Sequence, residues 1–345
     1  MRCIHCGSSA GKARDNELTI EECLGVADQL IDLGCKYLTL IGGEVFLYDG
    51  WENIARRLSE GGVDVNIITN AYHFGDEQID QIRYAKLGNV GISLDGMENA
   101  HNRIRNSKNS FQRVMNAFDR LKEENIPISV VTSLLDFNFY DLDAMHEVLA
   151  EKGIPAWQIQ IANAMGGMAE NRNLLLDPAK IPLVTRFIRE KRNELKVRLY
   201  AADDIGYYDE NEFYLRNRPG RISVWGGCQA GLRVVGIDSV GNVKGCESLY
   251  SDAFIEGNLR EESLKEIWTK EGNFAYNRNF RIEDLAGTCE GCDRGPICRG
   301  GCRGSCYFTT GNKFENPYCC YPEKRGNLLN GSTTALLSDA PVRPT

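Results

Sequence analysis

Lys36-Tyr37-Leu38-Thr39-Leu40-Ile41, followed at once by Gly42-Gly43-Glu44, is the stretch on which the fold turns. An apolar, β-branched run of this length that ends on two glycines reads as a buried strand entering a tight turn. Working outward, the same unit recurs. Residues 19–34 have a helical pattern, with Thr19 and Glu22 as a capping-box pair and Gly34 as the stop. Further helices are expected over 51–60, 78–85, 111–124 and 142–152, alternating with strands over 63–69, 89–94, 126–133 and 157–161. Strand–helix units of this size build a parallel sheet with helical crossovers. The series breaks at the glycine-containing stretch 165–168, and a helix starts at Pro178 with Asp177 as its cap. Tyr200, Tyr207, Tyr208, Asp209, Glu210 and Tyr214 mark an aromatic, acidic loop, whose plainest role is packing and whose alternative is a peptide groove.

The second informative feature is cysteine. Nine of the thirteen cysteines fall between Cys228 and Cys320, and one pair, Cys3 and Cys6, opens the chain. Thiols concentrated in this way, among glycines, suit metal better than disulfides. Iron–sulfur ranks ahead of zinc, although nine thiolates would also serve two zinc sites. The 345 residues, 42 % of them hydrophobic, are enough for two domains with a sizeable core. A net charge of −8 without a Lys/Arg block argues against nucleic acid or anionic lipid as partner. With no apolar run of membrane-spanning length and no signal peptide, a reducing cytoplasm is the expected compartment.

From Cys228 the pattern is C-x12-G-x4-C through Gly241 to Cys246, with a hairpin expected over 234–243. Then follow Cys289, Cys292, Cys298 and Cys302 as C-x2-C-x5-C-x3-C, and a distal Cys319. This resembles the SPASM domain of radical S-adenosylmethionine (SAM) enzymes, as does the 257–268 segment. The resemblance implies two auxiliary [4Fe–4S] clusters, with Cys228, Cys246 and Cys302 on the first and Cys289, Cys292, Cys298 and Cys319 on the second. Cys306 and Cys320 are surplus; Cys306 is a candidate fourth ligand of the first cluster, whose iron is otherwise open to a substrate thiolate. The N-terminal half is similar to the same family. Gly42-Gly43-Glu44 matches its SAM-binding turn, where Glu44 would accept from the methionyl amine. Thr69-Asn70-Ala71 resembles its T-N-G, and Ser93-Leu94-Asp95-Gly96 with His101 and Arg105 resembles its S-L-D-G…H-x-x-x-R. Ser93 would then meet ribose or carboxylate and Arg105 the carboxylate. Gln160 would line the pocket, and His101 is better read as structural.

Of the family's C-x3-C-x2-C, Cys3 and Cys6 supply the last two ligands with His5 in the spacer. The first cysteine is expected four residues before Cys3, upstream of this frame, together with the first barrel strand. The expected architecture is therefore a partial (β/α)6 barrel over 1–165, a connecting helix and loop over 166–225, a SPASM-like domain over 226–325 and a disordered tail over 326–345. The resemblance implies three [4Fe–4S] clusters and SAM, an external low-potential electron donor, and hydrogen abstraction from a peptide or protein, as in ribosomal peptide maturation. The alternatives are a sulfatase-maturating-like or small-molecule cofactor enzyme, and a non-catalytic metal-binding or electron-transfer protein. Glu247, beside Cys246, is a candidate base whose plainer reading is a solvated carboxylate. Cys23 and Cys35 read as small buried residues.

Overall fold

The computed structural model of the protein describes residues 1–192, 194, 196–203, 205, 211–216 and 224–321. Helix α1 (Ile20–Asp32) starts on the capping box foreseen at Thr19 and Glu22, and Gly34 follows its end at φ +76°. Then come β1 (Tyr37–Leu40), α2 (Trp51–Glu60), β2 (Asp64–Thr69), α3 (Asp76–Ala85), β3 (Asn89–Ser93), α4 (Glu98–Arg105), α5 (Ser110–Glu123), β4 (Ile128–Leu134), α6 (Leu142–Glu151), β5 (Ala156–Ile161), α7 (Ile181–Lys191) and β6 (Arg198–Ala201). The sheet has six strands in sequence order, every neighbouring pair parallel. Strands in this order, crossed over by helices, curve into the arc of a barrel.

Two expectations change. The sixth strand, β6, lies inside the stretch read as a connection, so the sheet extends beyond residue 165. The strand read as buried, β1, is the edge of the sheet, and Tyr37 is 76 % exposed. With a paired neighbour on one side only, its apolar run is not covered as those of β2 to β5 are. The core lies between the sheet and its helices, around Trp51, Ile67, Ile92, Phe118 and Trp157.

The C-terminal region is built from short pieces. They are α8 (Glu212–Arg216), β7 (Gly236–Ile237), β8 (Asn242–Lys244), β9 (Gly257–Asn258), α9 (Leu264–Thr269), α10 (Ala275–Arg278), α11 (Gly295–Cys298) and α12 (Arg303–Thr310). The hairpin foreseen over 234–243 is the antiparallel β7–β8 pair, with Gly241 at φ +87°. This region is tied to the barrel by Arg14 to Asp238 (3.0 Å), Arg260 to Glu22 (2.6 Å), the Leu18 N–H to Ser239 O (2.7 Å) and Arg172 to the Phe308 and Thr309 carbonyls. The tail and four of the aromatic-loop residues (Tyr207, Tyr208, Asp209, Glu210) lie outside the described residues.

Candidate active site and thiol clusters

In a parallel sheet the carboxyl ends of the strands face one rim, where ligands bind. At the end of β1, Glu44 turns back to β2. Its Oε1 accepts from the Thr69 hydroxyl (2.7 Å) and its Oε2 from the Asn70 N–H (2.8 Å). Burial pushes the Glu44 carboxyl up from its ordinary pKa, and these hydrogen bonds oppose the shift. Asn70 accepts the Tyr72 N–H on its own side chain (2.8 Å), closing a local turn. Ala71 stands at φ +54°, in the left-handed region, where the T-N-G pattern has glycine. Gly43 lets the chain after Cys6 pass closely: a Cβ there would sit 3.1 Å from the Cβ of Ala10.

Beyond β3, Asp95 is fully buried and acts as a hub. It pairs with Arg105 (2.6 Å) and His5 (3.3 Å) and accepts the Ser133 N–H (3.0 Å). Burial alone would raise its pKa, but the charge of Arg105, then His5, holds the carboxyl well below the usual range. Its own N–H donates to His101 Nδ1 (3.0 Å), and His101 Nε2 meets the Ser110 hydroxyl (3.1 Å). Burial pushes His101 down to about 4, which with Nδ1 accepting from Asp95 suits a neutral ring packed between Asp95 and Ser110. Arg105 reaches Cys3 Sγ at 3.9 Å, so the guanidinium joins Asp95 to the N-terminal thiol pair. Gln160, on β5, donates to the Ser133 hydroxyl (2.9 Å). Ser93 ends β3, half-buried. The rim thus gathers Glu44 with Asn70, Asp95 with Arg105 and Cys3, and Gln160 with Ser133.

Sequence reasoning missed what holds the Cys3–Cys6 loop. The Gly167 N–H donates to Cys6 O (2.9 Å), Asn171 Nδ2 to Ile4 O (3.5 Å), and the Ile4 N–H to Ile104 O (2.9 Å). Gly166 adopts φ +53°, and a Cβ there would strike the carbonyl oxygens of Cys6 and Gly7. Arg172, one residue after Asn171, grips the C-terminal end of α12. The 3-10 segment Gly166–Leu174 therefore bridges the N-terminal thiol loop to the helix that begins after Cys302. The two adjacent glycines just past β5 were the available signal.

In the C-terminal region none of the cysteines forms a disulfide among the described residues. The Cys228 and Cys302 thiols meet. That contact, with N–H groups of Arg303 and Ala230, holds Cys228 below the usual thiol range against the effect of burial. Cys246 lies near Cys228, and burial pushes it up to about 11. In the second set, Cys289 accepts from the Asn316 N–H (3.4 Å), Cys298 from the Gly300 N–H (3.2 Å) and Cys319 from the Tyr321 N–H (3.4 Å). Cys289 and Cys292 are neighbours, and the Cys292 N–H donates to Cys289 O (3.2 Å). Backbone N–H donors aimed at thiol sulfur are what an iron–sulfur cluster needs around its ligands. Among the described residues no three His, Cys, Asp or Glu side chains close on a single metal ion.

Cys306 is fully buried and donates to Gly300 O (3.0 Å), and Cys320 lies in the main core beside Tyr318. Glu247 is half-buried, its carboxyl pushed up by burial, in a charged group with Lys244, Asp238 and Arg14 at the junction with the barrel. Cys23 contacts the Tyr48 hydroxyl (3.6 Å) and Cys35 the Tyr37 carbonyl (3.4 Å), and both are half-buried, not buried as expected.

The Radical SAM superfamily model matches residues 1–149, and the SPASM model, described as an iron-sulfur cluster-binding domain, matches residues 228–293. The chain is 27 % identical over 332 residues to the AdoMet-dependent heme synthase of Methanosarcina barkeri, covering 93 % of each chain. It is 27 % identical over 315 residues to the mycofactocin maturase MftC of Mycolicibacterium smegmatis, covering 90 % of this chain and 76 % of the relative. Its fold matches the crystal structure of Streptococcus suis SuiB bound to S-adenosylmethionine with a TM-score of 0.73 at 16 % identity, over 91 % of this chain and 73 % of SuiB.

Proposed function

We propose that this chain, which belongs to the radical SAM superfamily and carries a SPASM domain, removes a hydrogen atom from a peptide or protein during the maturation of a ribosomally made peptide. Held in these sites, [4Fe–4S] clusters and S-adenosylmethionine supply a 5′-deoxyadenosyl radical and a route for electrons. The chain's own residues position and shield. Cys3 and Cys6 are thiolate ligands beside the rim, and Arg105 faces Cys3 from its anchor on Asp95. Glu44 Oε1 accepts from the Thr69 hydroxyl and from the Phe46 N–H (3.5 Å), whereas Oε2 accepts the Asn70 N–H and keeps a second lone pair, so Oε2 can take the methionyl amine while Thr69 and Asn70 fix the carboxylate's orientation. Arg105 Nε is buried without a hydrogen-bond partner among the described residues and is the donor assigned to the SAM carboxylate. Asn70, Ser93 and Gln160 complete the lining. The cysteines at 228, 246 and 302 and at 289, 292, 298 and 319 are assigned to two auxiliary clusters. An external low-potential donor and a reducing cytoplasm belong to this reading.

The observation that carries it is the pairing, in one chain, of a rim built on Glu44, Asp95 and Arg105 with buried thiols backed by N–H donors. Similarity to a mycofactocin maturase supports a peptide substrate. The match to a heme synthase over 93 % of both chains favours a second reading, a tetrapyrrole substrate. The test is anaerobic reconstitution with iron and sulfide, then incubation with reductant, SAM and either a short peptide encoded beside the gene or an iron tetrapyrrole. Release of 5′-deoxyadenosine with a mass change in the peptide is the expected result. A mass change in the tetrapyrrole alone selects the second reading. Iron-loaded protein that never cleaves SAM overturns both.

A further inference from the structure

Arg303 is the first residue of α12 and is 0 % exposed. A guanidinium so deep must be fully hydrogen-bonded and must face negative charge. Its hydrogen bonds are nearly complete. Nη1 donates to the carbonyls of Arg299 (2.7 Å), Gly301 (3.2 Å) and Lys313 (3.2 Å), and Nε to that of Tyr276 (3.4 Å). The plane is packed against the Phe314 ring, 4.4 Å from its centroid, with Phe280 farther off at 5.9 Å. Nη2 is buried and has no hydrogen-bond partner among the described residues.

The negative charge around it is sulfur. The 299–301 turn that holds its Nη1 also engages Cys298 and Cys306 through Gly300, and Cys302 is its chain neighbour; burial lowers the Arg303 pKa, and Cys228, Cys306, Cys302 and Cys298 oppose that shift. They belong to both thiol sets: Cys228 and Cys302 to the first, Cys298 to the second. The Arg303 backbone N–H also donates to the Cys228 sulfur. Total burial excludes a role in holding substrate. Four carbonyls fix the guanidinium, so it cannot swing toward solvent. What remains is one rigid N–H donor without a partner among the described residues, on a cation beside thiols of both sets.

We propose that Arg303 is a positioning and tuning residue shared by both auxiliary iron–sulfur sites, its fixed charge and free Nη2 donor raising the reduction potential of each. This rests on the reading above that both thiol sets hold iron–sulfur clusters. Adding an electron makes a cluster more negative. A buried cation and an N–H···S hydrogen bond both stabilise that state, and cluster potentials respond to net charge and to hydrogen bonds at sulfur.

The test compares wild type with Arg303→Gln, which loses the charge, and Arg303→Lys, which keeps it, each reconstituted anaerobically with iron and sulfide. Iron and sulfide are counted, and auxiliary-cluster potentials are measured by EPR-monitored redox titration. In Arg303→Gln both auxiliary potentials are expected to move negative by at least a tenfold change in the reduced-to-oxidised ratio, about 59 mV for one electron. Arg303→Lys is expected to shift less. Iron-loaded Arg303→Gln with unshifted potentials, or with only one of the two shifted, overturns the proposal but leaves the iron–sulfur reading intact. Wild-type protein without iron overturns that reading instead. If the variants do not load iron, wild type carrying guanidino-15N arginine is reduced and its hyperfine couplings measured. A 15N coupling to the auxiliary clusters supports Arg303 as donor, and its absence overturns it.

Discussion

The two ends of the chain hold sulfur in opposite ways. At the N-terminus, Cys3 and Cys6 are half-buried, and the loop that carries them is held by side chains and backbone from far along the chain: Arg105, Asp95 through His5, Asn171 and Gly167. In the C-terminal region most of the thiols are buried, and their sulfurs take N–H groups from nearby turns, with Arg303 as the deep cation. A site that must admit and release a small molecule and a substrate has to stay open, so its geometry is set by a network at one side. A site that only passes electrons can be closed, and short turns around its ligands suffice. The first arrangement depends on contacts from far along the chain; the second combines local turns at Cys298 and Cys319 with longer-range pairings of Cys289 with Asn316 and Cys228 with Cys302.

The sharpest way to break the comparison is Asp95. It is the only carboxylate paired with Arg105 among the described residues, and the same oxygen pairs with His5. Asp95→Ala leaves a guanidinium buried without its counter-charge, a loss of about 3–5 kcal/mol. Urea denaturation of the metal-free protein measures it. Maleimide labelling read by peptide mass spectrometry shows where it falls: Cys3 and Cys6 should label faster, with the C-terminal cysteines unchanged. Equal acceleration at both ends would mean that the two regions do not stand apart.

Acid should separate the regions next. All four histidines precede residue 150. His101 is buried neutral with its pKa pushed down to about 4 by burial, and burial lowers His146 as well. A histidine depressed in the folded state binds its proton first in the unfolded chain, so stability is lost as pH falls from about 6.5 towards 4. From His101 alone that loss approaches roughly 3 kcal/mol. Asp95, also depressed, adds its own loss only below its unfolded pKa of about 3.9, outside this window. Hydrogen exchange at pH 7 and pH 4.5 should show β3 and α4 loosening and the C-terminal turns unmoved. His101→Asn should flatten the dependence; an unchanged slope would rule His101 out as its source.

How much of this was legible follows the same division. The strands at 37–40, 64–69, 89–93, 128–134 and 156–161 carry apolar runs between turn signals, and the cysteine spacing marks every thiol. Helix α4 carries no such signal, because its buried face is His101, Ile104 and Arg105, two of them polar. Strand β6 is four residues long and begins with arginine, too little for a period of two to register. The Arg172 grip on α12 spans more than a hundred residues of sequence, and Arg303 beside Cys302 reads as one more surface cation until the fold buries it. Residue chemistry offers the candidate ligands; only tertiary contact shows which polar side chains lie beside them.

The smallest expected effect compares two helix ends. Asn106 follows Arg105 at φ +49°, and Arg299 follows Cys298 at φ +58°, so each functional residue is succeeded by a left-handed cap. That conformation costs a residue with a Cβ about 1–2 kcal/mol, while glycine adds about 0.4–1 kcal/mol of unfolded-state entropy to be lost. Asparagine tolerates the region better than arginine does. Arg299→Gly should therefore gain about 0.5 kcal/mol, because its contact with the Phe280 ring, 5.8 Å from the centroid, is loose. Asn106→Gly should gain almost nothing. Urea midpoints of the two variants decide it. A larger gain at Asn106 would put more backbone strain in the open region than in the closed one, and would reverse the view that the side-chain network, rather than the backbone, bears the demands of the open site.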